Sequence, residues 1–176
     1  MEIRFPPQDY SDPDPRPRIL VVESNRTNLG VIARRLGEAG YRVTTADNGI
    51  AAIAELHRTH IDLVLAELHL PRMSGAELVR AIRGEVQWRD IPLMLITGKS
   101  DTKAAVLAYE AGADDVILKP FHFEVLFARI ERRIEKARSI KGLRDDNAVL
   151  DARVVERAIE IGELRDLLAG AELTAR

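Results

Sequence analysis

Residues 61–75 read IDLVLAELHLPRMSG. The first half, Ile61–Glu67, is a nearly unbroken apolar run closed by a carboxylate, the pattern of a strand buried on both faces of a parallel sheet. Pro71 and Gly75 then punctuate a loop. Ser74, with Glu77 three residues on, forms a capping-box signature for a helix to about Val86. Strand, polar turn and capped helix make one βα unit.

The same alternation extends in both directions. Upstream, Arg18–Glu23 (RILVVE) reads as a buried strand, Asn25–Ala39 as a helix closed by Gly40, Tyr41–Ala46 as a strand and Gly49–Arg58 as a helix. Downstream, Ile91–Thr97 reads as a strand, Asp101–Ala111 as a helix ending at Gly112, Asp114–Leu118 as a strand, and a further helix starts after Pro120. Five βα units with uniformly apolar strands predict an α/β fold, a doubly wound parallel sheet of order 3-2-1-4-5 or 2-1-3-4-5. Before Arg18, Pro6, Pro7, Pro13, Pro15 and Pro17 predict an extended or disordered lead-in over residues 1–17.

Composition narrows the function classes. The chain has 176 residues, 46% of them apolar and 31% charged, with a net charge of −2 and no cysteine. Disulfides, thiolate metal sites and cysteine nucleophiles are excluded. The charge balance speaks against coating nucleic acid or an anionic membrane. No run reaches the roughly 18 apolar residues of a membrane span, and the N-terminus lacks a secretory core. The expectation is a cytoplasmic protein with no nucleic-acid or membrane partner.

In a doubly wound sheet, ligands bind at the carboxyl ends of the strands. Those ends carry Glu23 and Ser24, then Glu67, Thr97 and Lys119. Two carboxylates, two hydroxyls and an ammonium are thereby set to converge. His57, His60, His69 and His122 have no metal-site spacing, and Trp88 reads as local packing.

The order of these residues resembles the response-regulator receiver domain of two-component signalling. The matching strings are ILVVES at 19–24 followed by Asn28, ADNG at 46–49, DLVLAELHLPRMSG at 62–75, IPLMLITG at 91–98 and GADDVILKPF at 112–121. The resemblance covers roughly 18–138 and implies the strand order 2-1-3-4-5, flavodoxin-like. It also implies a pocket in which an aspartate is phosphorylated by a histidine kinase, with Mg²⁺ held by neighbouring carboxylates. By the resemblance, Lys119 and Thr97 match the phosphate-pocket lysine and hydroxyl. Glu23 and Ser24 stand for the acidic pair, Glu67 stands at the phosphoacceptor position, and Val116 at the aromatic switch position. With Ser24 in place of a carboxylate, metal binding through Glu23 is expected to be weak or lost. Glu67 is longer than aspartate, so its oxygens are expected to reach toward Lys119 and Thr97 and form an internal ion pair in place of phosphate. Asp62, at the opposite end of its strand, is no substitute acceptor.

The fifth helix of such a domain ends near Arg138, and residues 139–176 remain. Leu143, Asn147, Leu150, Val154, Arg157, Ile161, Leu164 and Leu168 are spaced alternately four and three apart. This heptad register, with Asn147, Val154, Ile161 and Leu168 at a and leucines mostly at d, predicts a parallel two-stranded coiled coil. Arg157 is a defect at d. A one-residue slip of the upstream register falls at Gly142, where a bend or local unwinding is expected.

The sequence thus predicts a non-enzymatic response-regulator-type signalling module, without cofactor, unphosphorylated on aspartate. It is expected to act as a homodimer and to bind a histidine kinase or a downstream signalling protein. Two alternatives are a small flavin- or nucleotide-binding enzyme of the same winding and a purely structural dimerisation protein. Against the enzyme, the ESNRTN turn lacks glycine, no GxxxxGK[ST] loop exists, and Lys119–Pro120 has no role there.

Overall fold

The computed structural model describes residues 14–98 and 102–174, excepting the side chains of 102, 104 and 163–174. The proline-rich residues 1–13 therefore lie outside the description, as do Asp101 and the side chains of Leu164 and Leu168. Along the chain run β1 (Arg18–Val22), α1 (Arg26–Glu38), β2 (Arg42–Ala46), α2 (Gly49–Arg58) and β3 (Leu63–Glu67). They are followed by α3 (Gly75–Gly84), β4 (Leu93–Gly98), α4 (Thr102–Glu110), β5 (Asp115–Lys119) and α5 (Phe123–Thr174). The five strands form one parallel sheet of order β2-β1-β3-β4-β5.

Alternation along each strand divides the core into two layers. Leu20, Val22, Val64, Ala66, Leu93, Leu95 and Val116 pack on one face with residues of α2, α3 and α4. Ile19, Val21, Leu63, Leu65, Met94, Ile96 and Ile117 pack on the other with Ile32 and Leu36 of α1 and Leu126, Ile130 and Ile134 of α5. Both faces are covered, which explains why the strands read as continuous apolar runs rather than alternating ones.

Local chemistry sets the element starts. Asn25 Oδ1 accepts from the amides of Thr27 and Asn28 at 3.0 and 3.1 Å, and Asn48 Oδ1 accepts from Ala51 at 3.0 Å. Ser74 and Glu77 form the reciprocal capping box of α3. Two strands, β3 and β4, begin two residues later than the apolar runs suggest. Pro92 has no amide to give the ladder, so β4 starts at Leu93. Asp62 turns its carboxylate onto the Arg18 amide (2.7 Å) and gives its own amide to the Arg18 carbonyl (2.8 Å), closing the ladder ahead of Leu63. Trp88, in the segment between α3 and β4, is buried and meets the His57 ring edge-on at a centroid distance of 4.5 Å.

The chain divides into two compact units, Met1–Ala137 and Arg138–Arg176. The second is helical from Arg138 to Thr174 as part of α5. Helical backbone continues through Gly142, so the local unwinding expected at the register slip is absent. One glycine costs a helix interior about 1 kcal/mol against alanine yet keeps its amide donor, too little to break a long helix. Leu143, Leu150, Val154 and Ile161 in this unit are exposed.

Candidate functional site

Strand register brings the polar residues together. Val22 pairs with Ala66, Glu67 with Ile96, and Thr97 and Gly98 with Leu118 and Lys119. Glu23 and Glu67 consequently stand at the carboxyl ends of neighbouring strands, with Lys119 at the end of the strand beyond β4. The Lys119 ammonium donates to Glu23 Oε2 at 3.1 Å and also to Glu67 Oε2. Both glutamates are buried, whereas the lysine side chain retains 33% of its exposure. Burial works against the charged ammonium. The hydrogen bonds and negative charge of Glu67 and Glu23 outweigh it, and the Lys119 pKa is raised above its ordinary value.

The second oxygen of Glu23, Oε1, accepts the Asn25 amide at 2.9 Å. It is thus held by the turn into α1 whose next residues Asn25 itself caps. Glu67 is held by close packing of backbone on backbone. Gly75 at the start of α3 donates its amide to the Leu68 carbonyl at 2.8 Å. A Cβ at Gly75 would lie 2.5 Å from the Glu67 carbonyl oxygen and 2.9 Å from Leu68 Cα. Only glycine lets α3 approach the end of β3 this closely.

The other expected residues are placed differently. Thr97 is fully buried at the end of β4, and its Oγ1 has no hydrogen-bond partner among the described residues. The expected reach of Glu67 therefore extends to Lys119 and not to Thr97, because the ammonium engages the carboxylate first. Ser24 is exposed, and Val116 is buried in the layer shared with α2 to α4. The Lys119–Pro120 peptide bond is cis. Asp62 lies at the amino end of β3, bonded to Arg18. Among the described residues, no three His, Cys, Asp or Glu side chains are grouped to hold a metal ion.

One ionic cluster was not anticipated from the sequence. Asp115, buried at the start of β5, meets Arg129 at 3.1 Å and Arg133 at 3.6 Å. The available signal was the spacing of the two arginines, four apart on one helical face.

Comparison with known proteins places this geometry. The family model for the response regulator receiver domain matches residues 19–131. A probable cyclic di-GMP phosphodiesterase of Vibrio cholerae is 31% identical over 153 residues, covering 87% of this chain and 34% of that protein. The DNA-binding response regulator MtrA of Mycolicibacterium paratuberculosis is 34% identical over 121 residues, covering 69% of this chain and 52% of that protein. The chain thus spans about half or less of these two relatives. Among solved structures, the signal receiver domain of a signal transduction histidine kinase from Syntrophus aciditrophicus is 34% identical. It aligns with a TM-score of 0.65 over 68% of this chain and 91% of that one. The receiver domain of a Pseudomonas aeruginosa sensor histidine kinase, solved with magnesium in its active-site cleft, is 32% identical. Its TM-score is 0.64 over 68% of this chain and 98% of that one.

Proposed function

Because this chain belongs to the response regulator receiver domain family, we propose that it is a signalling receiver whose pocket is closed by a built-in ion pair. On this reading it is not phosphorylated on aspartate and acts by dimerisation and partner binding. The carrying observation is the placement of the Lys119 ammonium between Glu67 and Glu23. A receiver lysine normally meets a phosphate oxygen. Here the carboxylate at the acceptor position, one methylene longer than aspartate, supplies the anion itself. Phosphoryl transfer needs an aligned carboxylate oxygen and an ammonium available to the phosphoryl group, and here Glu67 and Glu23 already occupy the ammonium.

The donor set does not suit the Mg²⁺ that the family implies. Mg²⁺ requires near-octahedral oxygen ligation built on carboxylates. Glu23 and Glu67 share one ammonium, Glu23 also holds the Asn25 amide, and Ser24 replaces a carboxylate with a neutral hydroxyl. Val116 supports the same reading, since a buried valine has no ring whose rotation could report the state of Thr97.

Output would then come from association. The exposed heptad seam through Leu143, Asn147, Leu150, Val154 and Ile161 fits a parallel homodimer. The partners in signalling are a histidine kinase or a downstream signalling protein, and the reading assigns no catalysis to this chain. No described helix is long and apolar enough to cross a membrane.

Incubation with acetyl phosphate and Mg²⁺ followed by intact mass measurement tests the pocket. The expected spectrum shows the unmodified chain, and a stoichiometric gain of one phosphoryl group overturns the reading. The double variant Ser24→Asp with Glu67→Asp is expected to regain phosphorylation.

A further inference from the structure

Asn48 and Gly49, at the start of α2, form the one Asn–Gly step in the sequence. The step is chemically labile, because glycine has no Cβ to keep its amide nitrogen away from the asparagine side chain. Asn48 is half-buried and Asp47 beside it is exposed, so water reaches the step. The Gly49 amide is the first of its helix and has no intrahelical acceptor. The nucleophile and the electrophile of a cyclisation therefore stand next to each other.

The fold restrains both. Asn48 Oδ1 accepts the Ala51 amide at 3.0 Å, and Asn48 Nδ2 donates to Asp47 Oδ1 at 2.6 Å. Ring closure needs the Gly49 nitrogen eclipsed with Asn48 Cβ. The Asn48 ψ of 167° holds the two staggered instead. Reaching the reactive geometry means turning the Asn48 backbone and giving up the Ala51 bond, which opens the first turn of α2.

We propose that Asn48–Gly49 is a site of spontaneous deamidation whose rate is set by opening of the α2 cap. Hydroxide takes the Gly49 amide proton, and the nitrogen forms a bond to Asn48 Cγ. The Cγ–Nδ2 bond breaks, ammonia leaves with a proton from water, and a succinimide remains. Water then opens the ring at either carbonyl, giving an aspartyl or an isoaspartyl residue. No oxidant or reductant enters. The aspartyl product keeps an acceptor for the Ala51 amide. The isoaspartyl product lengthens the main chain by a carbon beside a tightly packed glycine, where a Cβ would lie 2.9 Å from Met73 Cβ. Met73 precedes Ser74, the cap of α3, so this product disturbs the loop between β3 and α3 as well. The inference stands independently of the pocket reading.

The test holds the full chain in mildly alkaline buffer, folded or in urea, and maps its peptides by mass. Deamidation reads as a gain of about one mass unit, and isoaspartate as methyl transfer from S-adenosylmethionine by isoaspartyl methyltransferase. Modification is expected at Asn48 ahead of Asn25, Asn28 and Asn147, and about tenfold slower in the folded chain than in urea. Asp47→Ala, which removes the Nδ2 bond, is expected to speed the reaction of the folded chain and to leave the rate in urea unchanged. Asn48→Ser, which keeps a capping hydroxyl, is expected to abolish the signal at this position in both states. Equal rates in the folded chain and in urea, an unchanged folded rate in Asp47→Ala, or earlier reaction at another asparagine overturns the proposal. None of these readouts depends on whether Glu67 accepts a phosphoryl group, which the intact mass measurement decides separately.

Discussion

Lys119 and Gly75, one in the ionic cluster and one beneath it, each give a measurable expectation. Lys119 neutralises two buried carboxylates, so Lys119→Met leaves Glu23 and Glu67 facing each other. Because the lysine is one-third exposed, solvent screening reduces the loss to about 2 kcal/mol, below that of a fully buried broken pair. The pH dependence has a definite sign. A lysine whose pKa is raised in the folded state contributes stability that is complete below its ordinary 10.5 and is lost as pH climbs through the higher folded value. The difference between wild-type and Lys119→Met denaturation free energies is therefore expected to be constant through neutral pH and to shrink in strong alkali. A difference that does not change in alkali would show that the ammonium is not held in this way. Gly75→Ala inserts a methyl 2.5 Å from the Glu67 carbonyl oxygen, against backbone that cannot swing aside. The expected loss is about 2 kcal/mol in urea denaturation, and an unchanged midpoint would refute the close approach of α3 to β3.

Among the elements, α2 offers a clean measure of capping, since Asn48 lies outside the Glu23–Lys119–Glu67 cluster. Asn48→Ala removes the acceptor for the Ala51 amide and is expected to cost about 1 kcal/mol, read as a shift in denaturation midpoint with no change in slope. The elements were largely legible in the sequence, because burial on both faces forces apolar runs such as Leu63–Ala66 and capping forces residues such as Ser74 and Glu77. Strand starts were less legible, since Pro92 and the side-chain bond of Asp62 to Arg18 decide them and apolarity does not. The site was legible as a set of residues at the strand ends. That Glu23 shares the ammonium while Thr97 stays unbonded depends on side-chain reach across β3, β4 and β5, which spacing along the chain does not encode. The continuity of α5 through Gly142 has a similar cause: a register slip marks where a seam changes, whereas the backbone ladder is indifferent to which face is apolar.

For the molecule as a whole, the 176 residues divide between a sheet unit that holds the Glu23–Lys119–Glu67 cluster and a helical unit that holds an exposed heptad seam. If the seam dimerises the chain, the charge variant Leu150→Glu with Val154→Glu is expected to convert a dimeric mass to a monomeric one in light scattering. A monomeric wild-type chain would remove the dimer from the proposed function. The lone tryptophan gives such experiments an internal gauge. Trp88 sits at the amino ends of the strands, on the opposite rim of the sheet from Lys119, sealed against the His57 ring. Its emission tracks the integrity of the sheet unit without an attached dye. Substitutions at Glu23, Glu67 or Lys119 should leave the emission maximum of the folded protein in place, so a shifted maximum in such a variant signals lost packing rather than altered pocket chemistry.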